Sequence, residues 1–511
     1  MANQPLPLGY GKPEIEMREV ADPEINKDLK AIDAGLAVPP TGGFQMTPEE
    51  QKLHRKINLK YDLLILPLLT LLYVMSGLDR NNIGNAATVN FTDDMGIPAS
   101  AVNTGVTIFF ATIVAATPPS TYIGKKVGVT RWIPFLMVGW GVFTLALAFA
   151  HNEAQFYAFR SMIGILEGGF YPCAAYYIAS CYTRYNLALR LGLFYGSYAI
   201  GGAFGSLVAY GLLQIRGTSL HSWQWLFIAE GAFTVLIAIF AFFYVPQHSS
   251  QAWFLTQEEK EFAVERMHRD SGGQDYQAEG ITFNDVKLAL KDWKIWMTLP
   301  TQIIGGIPGN AVPVFLPLIV RSLGYESYRA NLYSVPIYVV GAAGLWTIAY
   351  CSDRWRDRTL FLLIAYAFQI LGLTLVACLS GAGGRYAALC IMQIGLYATP
   401  PLYVAVLANN TPTPGHRAII ISLNAMSNIN GIPGGQLFRA KFAPLYRVPF
   451  YVSLGCAAYA FLAIGVFRYL MIRVNKRRQT KLETSNADEI DEENTTNTRI
   501  GDKKWTFIYT L

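Results

Sequence analysis

Between Tyr157 and Tyr182 the chain runs for about 25 apolar or small residues, broken by two charges, Arg160 and Glu167. A stretch of that length and composition reads as a membrane span. A bare charge at bilayer depth costs at least about 2.5–3.5 kcal/mol on insertion scales, so a span carries two only when they face protein or water rather than lipid. Seven helical residues turn through roughly 700°, which places both side chains on one face, two turns apart. Gly164 and Tyr171 extend the pair into a polar stripe on an otherwise apolar helix. The pattern offers an anion site beside a titratable group. The structural alternative is an ion pair that staples two helices.

The rest of the composition agrees with a membrane setting. Hydrophobic residues make up 52% of the 511 and charged ones only 15%, too apolar for a soluble protein, and the apolar residues fall in blocks of about 20. The net charge of +6 points to no nucleic-acid partner, because the basic residues gather in short loops and near the ends. The first 60 residues are polar, with PPTGG at 39–43, and read as a disordered tail without a cleavage site. The six cysteines form no C-x-x-C pair and most lie inside spans, so neither disulfides nor a zinc site is expected.

The apolar blocks predict an all-α membrane protein of twelve transmembrane helices, near 61–86, 100–123, 131–150, 154–181, 188–213, 225–245, 295–320, 330–350, 359–379, 385–408, 417–437 and 449–472. They divide into two six-helix halves, 58–245 and 295–473, with a tail at 1–57, a middle loop at 246–294 and a second tail at 474–511. In the loop Thr256-Gln257-Glu258-Glu259 is a capping box that predicts a short surface helix to about Arg269. Lys and Arg cluster at alternate span ends, which assigns the cytosol to both tails and the middle loop. On the other side Asn90-Phe91-Thr92 is a glycosylation sequon.

No phosphate-binding or H-E-x-x-H motif occurs, so no cofactor, metal site or enzymatic centre is expected. The acids are unevenly placed. None lies between Arg358 and Leu482, whereas the first half holds Asp62, Asp79, Glu167 and Glu230. A proton carrier therefore has to be a carboxylate of the first half, and Glu167 is nearest mid-span. In span 1, Tyr73, Ser76, Gly77, Arg80 and Gly84 recur at helical spacing, with Asp79 beside Arg80 as a second proton site or a counter-charge. The second half has uncharged stripes: Gln302, Gly306, Gly309 and Pro313 on span 7, and Asn424, Asn428, Gly431 and Gly435 on span 11. Pro308 and Pro433 should break these helices. Asn424 and Asn428 either donate to a substrate or bond between helices.

At these positions the chain resembles a family. Leu78-Asp79-Arg80-Asn81-Asn82-Ile83-Gly84-Asn85-Ala86 resembles the span-1 signature of the anion:cation symporters of the major facilitator superfamily. Arg160, then Glu167-Gly168-Gly169-Phe170-Tyr171-Pro172, resembles its span-4 motif. Trp225 with Glu230-Gly231, Ser352-Asp353-Arg354 and Ala443-Pro444-Leu445-Tyr446 also fit, nearest to the fungal allantoate-permease branch. The resemblance implies the major facilitator fold and proton-coupled uptake of a small organic anion, a carboxylate such as allantoate, nicotinate or pantothenate. It implies substrate-binding roles for Arg80 and Arg160 and proton-coupling roles for Glu167 and Asp79; Tyr171, Asn424 and Asn428 are added as substrate-binding candidates from their places on the polar stripes. Lys125 and Lys126, in place of the superfamily's usual acid, and Asp353 and Arg354 match its gating loops. A monomer in the plasma membrane is expected, with a vacuolar or other internal membrane as the alternative. Export of an acidic metabolite by proton antiport and a non-transporting nutrient sensor are the competing functions.

Overall fold

In lipid every backbone N–H and C=O has to be satisfied within the chain, and a helix does this locally. The computed structural model describes residues 46–217, 219–270, 283–325, 328–486, 489–490, 493 and 501–511, and among them it contains helices and no strand. Among the described residues ten helices are long and apolar enough to cross a membrane. The first half consists of α1 (Pro48–Leu64), which continues into α2 (Leu66–Ala86), then α3 (Ser100–Val127), α4 (Val129–Leu147), α5 (Glu153–Glu167), α6 (Phe170–Cys181), α7 (Arg184–Leu212) and α8 (Ser222–Tyr244). The middle loop holds α9 (Gln257–Asp270) and α10 (Phe283–Leu290). The second half consists of α11 (Trp293–Gly305), α12 (Ile307–Ser322), α13 (Arg329–Trp355), α14 (Arg358–Cys378), α15 (Ala382–Asn409), α16 (Pro414–Ala425), α17 (Gly431–Gly435) and α18 (Arg447–Thr484).

Of the tail expected over 1–57, residues 1–45 lie outside the described residues. The helix begins at Pro48, earlier than that boundary, because Pro48 at the first helical position and Glu49 and Glu50 in the first turn are N-terminal signals that override the polar composition. Of the second tail, most of the acidic run DEIDEEN at 488–494 lies outside the described residues. The capping box forms: the Thr256 backbone N–H donates to Glu259 Oε2 at 2.9 Å, and the Glu259 N–H donates to Thr256 Oγ1 at 3.4 Å.

Three predicted spans are interrupted where the backbone gains or loses a partner. Span 7 breaks between α11 and α12 at Gly306, with Pro308 in the first turn of α12. Span 11 passes through a 3-10 stretch, Met426–Asn430, before α17, and Pro433 lacks the N–H that would bond back to Ile429. Span 4 breaks at Gly168–Gly169, ahead of Pro172.

The halves meet at one end of the bundle, the end that carries Asn90 and Asp93. Asn103 Nδ2 donates to Gly435 O at 2.8 Å and Gln436 Nε2 to Thr107 Oγ1 at 2.8 Å, joining α3 to the end of α17. Asn331 Nδ2 donates to Thr88 Oγ1 at 2.9 Å. Here α2 lies against α12 so closely that a Cβ on Gly84 would stand 1.8 Å from the Val314 carbonyl oxygen. At the opposite, basic end α9 of the middle loop braces the first half, while α10 packs on α16 of the second. Lys60 Nζ lies 2.6 Å from Glu259 Oε2 and Lys56 Nζ 2.9 Å from Oε1, while the buried Arg266 donates to Asn58 Oδ1 and to the Cys181 carbonyl, each at 2.8 Å. Burial pushes the Glu259 carboxyl up, but the hydrogen bonds from Lys60, the Thr256 N–H and Lys56 outweigh it and hold the group at about 2.

Two outcomes follow. Gly84→Ala should lower stability by about 1–3 kcal/mol, since backbone cannot yield as a side chain does. Gly309→Ala, with nothing within 4 Å of its Cβ, should be close to neutral. Thermal unfolding of the two purified variants compares them. The folded value of Glu259 lies below its ordinary 4.5, so the brace contributes its full stability above about pH 4.5 and loses it as pH falls towards about 2. Glu259→Gln should therefore lower the melting temperature at pH 7, and the gap from the parent should close on acidification.

Candidate substrate site

Between the halves lies a cavity of about 150 Å³, lined by Tyr73, Arg80, Glu167, Tyr171, Tyr195 and Tyr198 from the first half and by Gln302, Asn310, Tyr366, Tyr403, Asn424 and Asn428, among others, from the second. A larger groove of about 470 Å³ runs along the outside of α2, α7 and α8. Its lining is almost wholly apolar, and the exposed Phe204, Leu207 and Phe233 at its rim belong to a lipid-facing surface.

The charges of the cavity lie on the first-half wall. Glu167, buried at the last position of α5, accepts two bonds on one oxygen: Arg80 Nε at 2.5 Å and Ser76 Oγ at 2.5 Å. Ser76 and Arg80 are one turn apart on α2, so the stripe read from the sequence presents both to the same carboxylate. The other oxygen, Oε2, is buried without a partner among the described residues. Arg80 keeps 13% of its side chain exposed, over the Tyr198 ring at 5.6 Å. It is thus the cation that an entering anion can reach.

The break in span 4 puts Glu167 there. Pro172 has no N–H for the Gly168 carbonyl, four residues earlier, and that carbonyl accepts from Thr117 Oγ1 of α3 at 2.9 Å instead. Gly168 and Gly169 let α3 approach: a Cβ on Gly169 would meet Ser120 Oγ at 1.9 Å. Tyr171, one turn further on, is half-buried and lines the cavity beside Tyr73 and Tyr195, with ring centroids at 5.7 and 5.9 Å.

Arg160 is not on the cavity wall. It is fully buried, its guanidinium sits over the Phe109 ring at 4.5 Å, and none of its nitrogens has an acceptor among the described residues. Its charged neighbours are Glu167 and Asp79. The same-face spacing of Arg160 and Glu167 therefore does not produce a pair between them; Arg80 of a different helix takes the carboxylate. Asp79 points away from the cavity, and its Oδ2 accepts from Trp140 Nε1 at 2.9 Å and Thr234 Oγ1 at 3.3 Å. Glu230, buried in α8, faces Asp79 and Asn82, which makes it a member of this buried cluster that the site residues named from the sequence do not include. Its signal was an acid inside an apolar span.

The second-half wall is polar and uncharged. Gln302 Nε2 donates to Asn424 Oδ1, Asn310 Nδ2 to Asn430 Oδ1, and the Tyr366 and Tyr403 hydroxyls lie 3.0 Å apart. Asn424 thus bonds between helices, and Asn428 bonds within its own segment, to Ala425 O at 3.1 Å; both line the cavity. Of the tyrosine cage, the sequence points to Tyr171 and Tyr73, and Tyr195 and Tyr198 fit packing as well as a pocket, whereas Tyr366 and Tyr403 are ordinary apolar-face residues until several helices converge. At the basic end Lys125 and Lys126 are exposed, over the Tyr176 and Tyr122 rings, Asp353 pairs with Arg358, and Arg354 is exposed. Asn90 is exposed at the other end, before the short helix Phe91–Met95.

Residues 69–435 match the family model of the Major Facilitator Superfamily, and the chain belongs to that family, whose members are transporters rather than enzymes. An uncharacterised transporter of Schizosaccharomyces pombe is 31% identical over 468 residues, covering 91% of this chain and 93% of its own. The high-affinity nicotinic acid transporter of Saccharomyces cerevisiae is 30% identical over 458 residues, 89% of this chain and 85% of its own. The crystal structure of a D-xylose–proton symporter has the same fold, with a TM-score of 0.62, 14% identity and coverage of 78% of this chain and 96% of that one. The protein is accordingly a multi-pass membrane transporter.

The Gly168 carbonyl can be tested directly. Thr117→Val removes its only described partner and should cost about 1–3 kcal/mol, the penalty of an unsatisfied buried group. Thr121→Val, whose hydroxyl serves its own helix at Thr117 O, should cost less. Chemical or thermal unfolding in detergent reads the difference.

Proposed function

We propose that the protein carries a small organic carboxylate together with a proton by alternating access, taking it up from outside. On this reading the two broken segments, α5–α6 and α16–α17, complete twelve spans, the basic end faces the cytosol, and the plasma membrane holds the protein as a monomer. The observation that carries the proposal is the Arg80–Glu167 pair at the wall of an otherwise uncharged cavity. Likeness to a nicotinic acid transporter supports a carboxylate as cargo.

The pair works as an exchange. With the cavity empty, Glu167 neutralises Arg80 and the charge cost of the site is contained. An entering carboxylate competes for Arg80, whose planar guanidinium can hold it by two parallel bonds. Glu167 is then displaced from its cation and takes a proton, so Arg80, the substrate carboxylate and the neutralised Glu167 together carry no net charge, as the empty Arg80–Glu167 pair does. The loaded carrier changes state without an added bare charge in the bilayer. Arg160, buried behind the wall, supplies a fixed positive field for Glu167 and Asp79 rather than a direct substrate contact in this conformation. Tyr171 and the tyrosine cage with Asn424 and Asn428 read the remainder of the molecule. Asp79 is a counter-charge to Arg160, with Glu230 beside Asp79, and Lys125, Lys126, Asp353 and Arg354 belong to the loops that close the basic end in the other state.

Uptake of a radiolabelled carboxylate panel, against matched carboxamides, in cells lacking endogenous permeases tests the substrate class. Carboxamides that compete as well as the acids overturn it. Arg80→Ala should reduce uptake by a factor equivalent to roughly 2–5 kcal/mol with the protein still in the membrane, and Arg80→Lys should recover little. Glu167→Gln should abolish accumulation on a pH gradient while retaining counterflow exchange; a Gln variant that still concentrates substrate removes Glu167 from the coupling role and leaves Asp79 as the candidate.

A further inference from the structure

Residues 501–511 do not extend away from the bundle. They fold back onto the basic end of the second half through a set of reciprocal bonds. Asn475 of α18 donates to the Tyr509 carbonyl at 2.8 Å and accepts from the Tyr509 N–H at 2.9 Å. Asn410, at the end of α15, repeats the arrangement with Thr510, at 2.9 and 2.8 Å. Arg478 donates to the carbonyls of Phe507 and Asp502 at 2.6 and 2.8 Å and stacks on the Tyr509 ring. Trp505 and Tyr509 are buried. A side-chain amide that matches a backbone N–H and C=O together reads one register of the peptide, as a neighbouring β-strand would.

The centre of the contact is ionic. Lys294, fully buried in the first turn of α11, bonds Asp502 and lies 3.1 Å from Asp292 Oδ2, which in turn faces His416 Nε2 of α16 at 3.4 Å. Asp292, His416 and Asp502 converge within 4.8 Å, and the Lys294 ammonium is the cation among them. The cluster therefore ties three pieces together: the peptide, α11 and α16. These two helices are the basic-end portions of the two broken spans of the second half, each ending at its break, Gly305–Gly306 and Met426–Asn430. A half-helix that ends at a break can pivot there without bending a continuous hydrogen-bonded rod. α18, the helix that anchors the peptide, runs 38 residues without interruption.

We propose that residues 501–511 are an intramolecular strap that pins the pivoting half-helices α11 and α16 to the rigid α18, and so holds the carrier in the conformation closed at the Asn90 end. Releasing the strap frees the half-helices and speeds the opening of that end.

The test uses the full chain, purified in detergent, in a background with all six native cysteines replaced by serine and a reporter at Thr107→Cys, inside the closed end. Opening is read as the rate of maleimide labelling at position 107, quantified on the peptide that contains it by mass spectrometry. No substrate is needed, so the outcome is independent of the carboxylate reading. Asp502→Asn should raise the labelling rate about tenfold, the order expected for losing one charged hydrogen bond from the closed state. Because Asp502→Asn can disturb folding of the cluster, a second variant carries Asn410→Cys with Thr510→Cys. Oxidation of that pair should slow labelling below the parent rate, and reduction followed by desalting should restore it. Labelling that is equal in the oxidised and reduced forms overturns the proposal, as does a rate in Asp502→Asn no higher than the parent's.

Discussion

The contact between Arg80 and Glu167 sets the terms for much of the first half. A guanidinium and a carboxylate removed from water each lose several kcal/mol of solvation, and only a short, oriented contact offsets that loss. The geometry here is short and directed, with Ser76 adding a second donor to the same oxygen. To make it, α5 has to end at Glu167 and α2 has to present Ser76 and Arg80 one turn apart. The glycines after Glu167 then allow α3 close enough for Thr117 to take over the carbonyl that Pro172 leaves unpaired. The ion pair, the break and the hydroxyl cap are parts of one solution, and each lacks its purpose without the others.

The breaks in the second half serve a different need. Spans 7 and 11 place no charge at the cavity, yet both lose regular helix there. The groups they expose are met by amides: Asn430 Nδ2 reaches the Gln302 carbonyl at 3.3 Å, and Gln302 itself bonds Asn424. An amide network satisfies irregular backbone at depth without the solvation penalty of ions. It leaves the cavity with one charged wall and one neutral wall. On the proposed reading, charge compensation takes place on the first wall, and the second can vary in shape to suit a cargo without disturbing it.

Much of this was legible in the sequence, and the limits are physical. The apolar blocks gave the spans because lipid imposes a length and forbids unpaired backbone. Arg80, Glu167, Tyr171, Asn424 and Asn428 were legible as polar positions on apolar helices, since helical periodicity places residues on a face. Pro308 and Pro433 marked their breaks through a missing N–H. Periodicity does not say which face meets which helix, however. Arg160 and Glu167 share a face by spacing, but tertiary packing gives Glu167 to Arg80 and turns Arg160 onto Phe109. The break at Gly168 was equally available from Pro172, but the donor on α3 that caps its carbonyl, Thr117, was not. The return of residues 501–511 rests on single side chains at Lys294, Asn410, Asn475 and Arg478, which are spread over the second half and carry no periodic signal.

The buried cluster behind the cavity shows why Arg160 is needed even though it lines nothing. Asp79 has two neutral donors, Trp140 and Thr234, on one oxygen and none on the other, and Glu230 faces it from α8. Neutral donors alone offset a buried carboxylate only in part, and two carboxyls side by side add repulsion to the desolvation cost. Arg160 is the cation in this region that Glu167 does not already share with Arg80. Its guanidinium has no hydrogen-bond acceptor among the described residues and lies against an aromatic face, where a cation keeps its long-range field while making few directed bonds. A cation held this way can balance Asp79 through a distance and still influence Glu167 two turns along the same span. On the proposed reading, this fixed charge is shared between the buried acids and the acid at the cavity, so that a change at Glu167 is felt by the cluster without any residue of the cluster having to move.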